Sequence, residues 1–311
     1  LPLVKFWQSA FMKNDRKTAL HFLVLGILAL TWGSSFILMK RGLQTPEGLS
    51  VFSPEQVAAL RMSVACIVLL PISIPALARI DRKDLKWLAI VGLVGSGFPA
   101  FLFTMAQKHH ESSIAGILNS LTPLFTILVG MVIFGRKGDT KKFLGILIGL
   151  AGAALLLALK WNKGEQHWDA LLLIVLATAF YGLSVNVIPH ALTHMKPLEI
   201  TAISLLFVGM PCIIYTLNNG AIRVVSEHEY GSTSLMYIAI LATGGTVVAN
   251  SLYFWLTQKT NAVFASSVTF LMPLVAMAWG IGDGEVLSFW YLIAAGIMLS
   301  GIYLIKNSGK N

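Results

Sequence analysis

Residues 112–134 read SSIAGILNSLTPLFTILVGMVIF, an apolar run interrupted by Asn119, Thr122 and Pro123. Crossing a bilayer takes roughly 20 helical residues, and this run is long enough. Proline in its middle removes a backbone donor and frees a carbonyl, which lipid cannot satisfy. That position must therefore face protein or a water-lined cavity. The pattern returns in residues 261–280, NAVFASSVTFLMPLVAMAWG. There Ala265, Thr269, Leu271, Pro273, Leu274 and Gly280 fall on the places of Ala115, Asn119, Leu121, Pro123, Leu124 and Gly130. One broken helix occurring twice, half a chain apart, is the signature of transporters built from repeats.

The composition agrees. Hydrophobic residues make up 56% of 311 and charged residues only 12%, where a soluble domain carries about 25%; mean hydropathy is +0.75. The net charge of +9 does not point to nucleic acid, because the charges sit in short loops between apolar spans. Cys66 and Cys212 lie inside spans as small buried hydrophobes, so neither a disulfide nor a metal site is expected. The first span shows no cleavable-signal exit and runs to full length.

Read in order, the chain begins with a basic amphipathic tail (1–18), suited to lying at anionic headgroups. Spans are expected at 19–40, 54–78, 85–107, 112–134 and 140–159, the second opened by Ser53 as a cap with Pro54 in the first turn. The third is glycine-rich and broken by Pro99. A polar linker (160–168) follows, then spans at 169–189, 197–217, 234–257, 261–281 and 287–305. The expected fold is an all-α polytopic membrane protein with ten transmembrane helices, five in residues 19–159 and five in 169–306. The 23 Lys and Arg concentrate in loops on the side of the N-terminus, notably 79–86 and 136–142, which places both termini in the cytoplasm. An odd number of spans per half then makes the halves inverted repeats. Further pairs match between them: Trp32-Gly33 with Tyr181-Gly182, Pro54 with Pro197, Gln107-Lys108 with Gln258-Lys259, and Gly152 with Gly301.

The sequence TWGSSFILMK (31–40), Pro54, Arg61 and the Pro123 and Pro273 helices, each followed by a short charged turn, resemble the EamA family of the drug/metabolite transporter superfamily. The resemblance spans residues 19–305. It implies ten helices in two inverted repeats and export of amino acids or other small metabolites across the bacterial inner membrane. The family often has a Glu just after the fourth span; this chain has Arg136 there and keeps Glu285 in the second repeat.

A cavity near mid-membrane would be lined by polar groups from the broken helices. Asn119 shares a face with Pro123, and Thr269 with Pro273; this pair either faces the cavity or bonds between helices. Asn186 and Asn250 carry the same two readings. Trp32 and Tyr181 lie deep in their spans and either pack a substrate or fill the repeat interface. Ser35, Phe98, Thr122, Tyr253 and Met272 complete the expected lining. Arg61 is a full charge well inside a span: it could bind a substrate carboxylate, but a gating role paired with Glu55 or Glu47 is preferred. Asp283 and Glu285 are candidates for the same gate. The Asp and Glu residues otherwise keep to loops and span ends, so no mid-membrane proton carrier is expected.

These features argue against an intramembrane enzyme, since no H-E-x-x-H motif and no mid-span carboxylate pair is present. A carbonyl filter or ring of charges, as in ion channels, is not evident either. The expected partners are the lipid bilayer and a small amphipathic substrate, with no cofactor. Amino acids suit the cavity better than phosphorylated sugars, which would want several buried cations; a purine, a quaternary amine or a drug is the alternative.

Overall fold

The computed structural model describes residues 16–136, 140–162, 167, 169–286 and 288–306. The expected N-terminal tail, but for its last residues, and most of the expected linker lie outside the described residues. Helices α1 (Arg16–Leu43), α2 (Pro54–Leu77), α3 (Arg82–Gln107), α4 (Ser112–Val132) and α5 (Thr140–Asn162) come first. Then follow α6 (Ala170–Ala191), α7 (Pro197–Asn218), α8 (Gly231–Lys259), α9 (Ala262–Gly282) and α10 (Phe289–Lys306). A short connecting helix, Ala221–Glu227, joins α7 to α8. Eight of the helices are long and apolar enough to cross a membrane, while α5 and α10 contribute shorter apolar stretches, Phe143–Leu155 and Phe289–Gly301. The protein is all-α and polytopic.

Local chemistry sets these boundaries. Ser53 closes a capping box at the start of α2: its hydroxyl accepts from the Gln56 N–H, and the Gln56 side chain accepts from the Ser53 N–H. This satisfies two of the donors that a helix N-terminus leaves open. Helix α4 stops at Asn119 and restarts at Thr122. Helix α9 passes through a 3₁₀ turn, Ser267–Phe270, before restarting at Met272. Both restarts carry the proline in their first turn, where its missing N–H costs least. At Pro99 the outcome differs from a simple break, because α3 widens into a π-turn over Leu93–Gly97 just before it. A second π segment, Leu241–Val248 in α8, was not anticipated from the sequence, since no proline marks it.

The helices pack by backbone approach at small residues, the usual device where lipid supplies no hydrophobic drive between helices. Helix α5 lies along α10, and α2 along α7. A Cβ at Gly152 would meet the backbone of Ala294 and Met298 at 2.8–2.9 Å, and one at Gly301 would fall on the backbone of Gly145 and Gly149. On α1, a Cβ at Gly33 would sit 2.5 Å from Val275 of α9; on α6, one at Gly182 would sit 2.7 Å from the backbone of Phe125 in α4. Large apolar side chains such as Leu23, Leu30, Ile74, Leu217 and Phe289 remain exposed on the outside of the bundle, as a lipid-facing surface requires. Cys66 and Cys212 are free, buried thiols.

The close α5–α10 contact predicts that Gly301→Leu destabilises the detergent-solubilised protein by roughly 1–3 kcal/mol through overpacking. Gly26→Leu, at a site with open space around it, leaves the thermal unfolding midpoint unchanged.

Candidate functional site

A cavity of about 80 Å³ lies where α1, α2, α3, α4, α6, α8 and α9 converge. Both helix breaks open onto it through Asn119, Thr122, Thr269 and Met272. The proline in α4 leaves the carbonyl of Asn119 without its helical donor, and the Thr122 hydroxyl donates to that carbonyl at 2.8 Å. Asn119 also reaches across to α9, its amide donating to the Met272 sulfur at 3.4 Å. The lining and bridging readings of Asn119 therefore describe one geometry.

The walls combine aromatic faces with scattered polar groups. Trp32 and Tyr253 lie ring to ring at 4.9 Å, and Phe36 and Tyr181 flank Phe103 at 5.8 and 6.0 Å. The Trp32 indole donates to the Gly245 carbonyl at 2.8 Å, within the π segment of α8. Such segments leave carbonyls free of their α-helical partners and recur at functional sites. Ser35 packs against the same turn, where a Cβ on Gly245 would come within 2.8 Å of its hydroxyl; Gly95, in the π-turn of α3, packs likewise against Ser184 of α6. Asn250 donates to the Ser96 hydroxyl at 3.1 Å, joining α8 to α3.

Nine of the thirteen cavity residues expected from the sequence thus come together: Trp32, Ser35, Asn119, Thr122, Tyr181, Asn250, Tyr253, Thr269 and Met272. Four do not line it. Phe98 is half-exposed on the flank of the bundle against Phe180, because the π-turn just before it rotates the face it presents. Asn186 is fully buried between α6 and α4, donating to the carbonyls of Thr126 and Gly182. Pro123 and Pro273 are buried behind the lining, where they set the breaks. Phe36, Met39, Phe103, Ser96 and Ser184 line the cavity without having been singled out; helix-face geometry, more than residue chemistry, selects them.

The expected gate residues divide. Arg61 lines the cavity, and its Nε donates to the Thr246 hydroxyl at 2.9 Å. It does not pair with Glu55, which accepts from the Ser53 hydroxyl at 2.7 Å at the mouth of α2. Glu285 and Asp283 form a latch with α1. Lys40 bridges Asp283 at 2.6 Å and Glu285 at 3.0 Å, and Arg41 pairs with Asp283. Glu285 also caps α4 from outside, accepting from the N–H groups of Ser112 (2.9 Å) and Ser113 (3.1 Å) and from the Ser113 hydroxyl (2.7 Å). A carboxylate suits the positive end of a helix, and α4's own N-cap residue, Glu111, makes no side-chain cap bond. Gly280 makes room for that carboxylate, since a Cβ there would collide with it.

At the other end of the bundle the matching turn carries Arg136. Its N–H donates to the Gly130 carbonyl at 2.9 Å, as that of Glu285 does to Gly280 at 2.8 Å, and each turn has a left-handed glycine, Gly135 and Gly284. The side chain of Arg136 is exposed. Helix α9 is capped at that end by Asn261, which accepts from the Phe264 N–H at 2.9 Å. Asp84 and His194 pair there at 2.9 Å.

Two separate segments, residues 20–158 and 168–306, each match the EamA-like transporter family. The chain belongs to the EamA-like transporter family. It is therefore a membrane transporter, not an enzyme. It is 26% identical over 287 residues to "Uncharacterized inner membrane transporter YedA" of Escherichia coli, covering 91% of this chain and 90% of the relative. It is 22% identical over 293 residues to "Probable amino-acid metabolite efflux pump" of Salmonella typhimurium, covering 91% and 93%. One crystal structure shares the fold, with a TM-score of 0.58 at 16% identity and coverage of 92% of this chain and 96% of that one.

Burial is the largest single influence on Glu285 and opposes its ionisation. The Ser113 hydroxyl, Lys40 and the Ser112 N–H together outweigh it and hold the carboxyl below the usual glutamate value of 4.5. A carboxyl depressed on folding contributes stability that is fully present above its unfolded value and lost as pH falls through the lower, folded one. Thermal unfolding between pH 7 and pH 3 should therefore show a loss of stability below pH 4.5 that is smaller in Glu285→Gln.

Proposed function

We propose that this protein exports small amphipathic metabolites, amino acids foremost, by alternating access through the cavity between its broken helices. The observation that carries this reading is the cavity itself: two interrupted helices meet there and present amides and hydroxyls beside aromatic faces. This is the arrangement expected of a midplane solute site. A relative named as a probable amino-acid metabolite efflux pump supports the substrate class.

The same reading assigns ten spans in two inverted repeats, residues 19–159 and 169–306, joined by the linker 160–168. Its support is the pairing of contacts across the halves: Gly33 on α9 with Gly182 on α4, and Gly245 beside Ser35 with Gly95 beside Ser184. On the same reading both termini lie in the cytoplasm of a bacterial inner membrane, supported by the loop charges, so the Glu285 latch closes the external end. Opening that end separates α9 and α1 from the start of α4.

Counterflow of a labelled amino-acid panel into proteoliposomes tests the substrate class; uptake of a purine or a quaternary amine, with none of any amino acid, would overturn it. Asn119→Ala and Thr269→Ala should each lower the initial rate at least several-fold at normal membrane abundance. Unchanged rates in both would reduce the pair to packing residues. The latch is tested by a cysteine at Ser96 in a background lacking Cys66 and Cys212: Glu285→Gln should raise its labelling by an external, membrane-impermeant thiol reagent. Equal labelling would remove Glu285 from the gate.

A further inference from the structure

A buried guanidinium normally comes with a carboxylate, because an unpaired charge in low dielectric costs several kcal/mol. Arg61 sits on α2 within the apolar bundle at 9% exposure. Among the described residues no carboxylate oxygen lies within ion-pair distance of it. Glu55 is held by Ser53, and Asp283 and Glu285 are committed to Lys40, Arg41 and the start of α4. Among the described residues, the one side-chain hydrogen bond of Arg61 runs from Nε to the Thr246 hydroxyl, and Thr246 in turn donates to the Leu241 carbonyl at 3.5 Å across the π segment. Thr246 thus fixes the near edge of the guanidinium and leaves the terminal nitrogens, which carry four of its five donors, without an acceptor among the described residues. They are not sealed off either, since Arg61 forms part of the cavity wall.

We infer that Arg61 is a substrate-binding residue, and that the cavity selects solutes with a carboxylate attached to an apolar or aromatic body. This rests on the transporter reading of the cavity given above. The planar fork matches a carboxylate through two parallel hydrogen bonds. Asn119 and Tyr181 supply further polar contacts, and Trp32 and Tyr253 supply apolar faces for the remainder of the solute. The wall offers a cation and no carboxylate, so a bare amine or quaternary ammonium meets repulsion. A phosphate ester would want more than one buried cation. The carboxylate of the solute completes the ion pair that the fold leaves open.

The test is direct binding to the purified protein in detergent, measured by calorimetry with a phenyl series that varies the polar group: L-phenylalanine, phenylacetate, phenylacetamide and phenethylamine. The two carboxylates should bind, with the neutral amide and the amine weaker by roughly 10- to 100-fold, the range expected for a charge-assisted bond. Arg61→Gln should erase that preference, and Arg61→Lys should restore part of it. Because the ligand preference is read on the unaltered protein, the inference stands or falls even if a variant fails to fold. Equal or tighter binding of the amide or the amine would overturn it, as would a carboxylate preference that survives Arg61→Gln. Binding of carboxylates without counterflow would support the site and sink the transport reading; counterflow of a neutral or cationic solute unaffected by Arg61→Gln would do the reverse.

Discussion

In lipid, a backbone carbonyl without a partner has no water to turn to, and the centre of this protein is built around that constraint. Pro123 frees the carbonyl of Asn119, and Thr122 answers it from the next turn. The π segment of α8 offers the carbonyl of Gly245, and the Trp32 indole takes it from α1. Each answer brings a polar or aromatic side chain to the place where the helix departs from regularity. The irregularities thus supply part of the cavity lining, Ser96, Asn119, Thr122, Thr269 and Met272 among them, and a smooth helix at these points would remove that part of the site.

Around that centre the two halves repeat one another with some fidelity. Gln107, closing α3, donates to the Phe36 carbonyl and the Ser112 hydroxyl; Gln258, closing α8, donates to the carbonyls of Leu192 and Met195. Each amide ties the end of one helix to neighbouring backbone where loops would otherwise be loose. The glycines that admit neighbouring helices recur in the same way. Small residues decide the distances between helices, and the large apolar ones outside them are left to the lipid.

Much of this was legible in the sequence because proline, glycine and intramembrane polar residues carry position-specific meaning. The α4 and α9 breaks, the Ser53 cap and half of the cavity wall could be read that way. Phe98 could not: projecting its face assumes an α-helical angle of 100° per residue, and the π-turn over Leu93–Gly97 shifts that register. Asn186 was left between a cavity and an interhelical reading for another reason. A buried amide looks the same in sequence whether it faces a cavity or a neighbouring backbone, and only the approach of Gly182 to α4 decides it. The capping of α4 by Glu285 joins residues 172 and 173 positions apart, a pairing that local patterns do not encode. Arg61 was read as a gate residue paired with Glu55 or Glu47, but Ser53 holds the Glu55 carboxylate at the helix mouth and Arg61 turns to Thr246.

The turns that follow α4 and α9 share a left-handed glycine and a hydrogen bond back to Gly130 or Gly280, yet one carries Arg136 and the other Glu285. A duplicated scaffold has thus been given opposite signs at its two ends. Parting the Glu285 end means pulling apart several ion contacts and uncovering the start of a helix. Parting the Arg136 end leaves α9 with the cap it already carries within itself, Asn261. On the alternating-access reading proposed above, these are unequal barriers, and the two orientations of the empty carrier differ in lifetime. On that reading, a single change of sign in a copied turn is enough to make a nearly symmetric machine keep time unevenly.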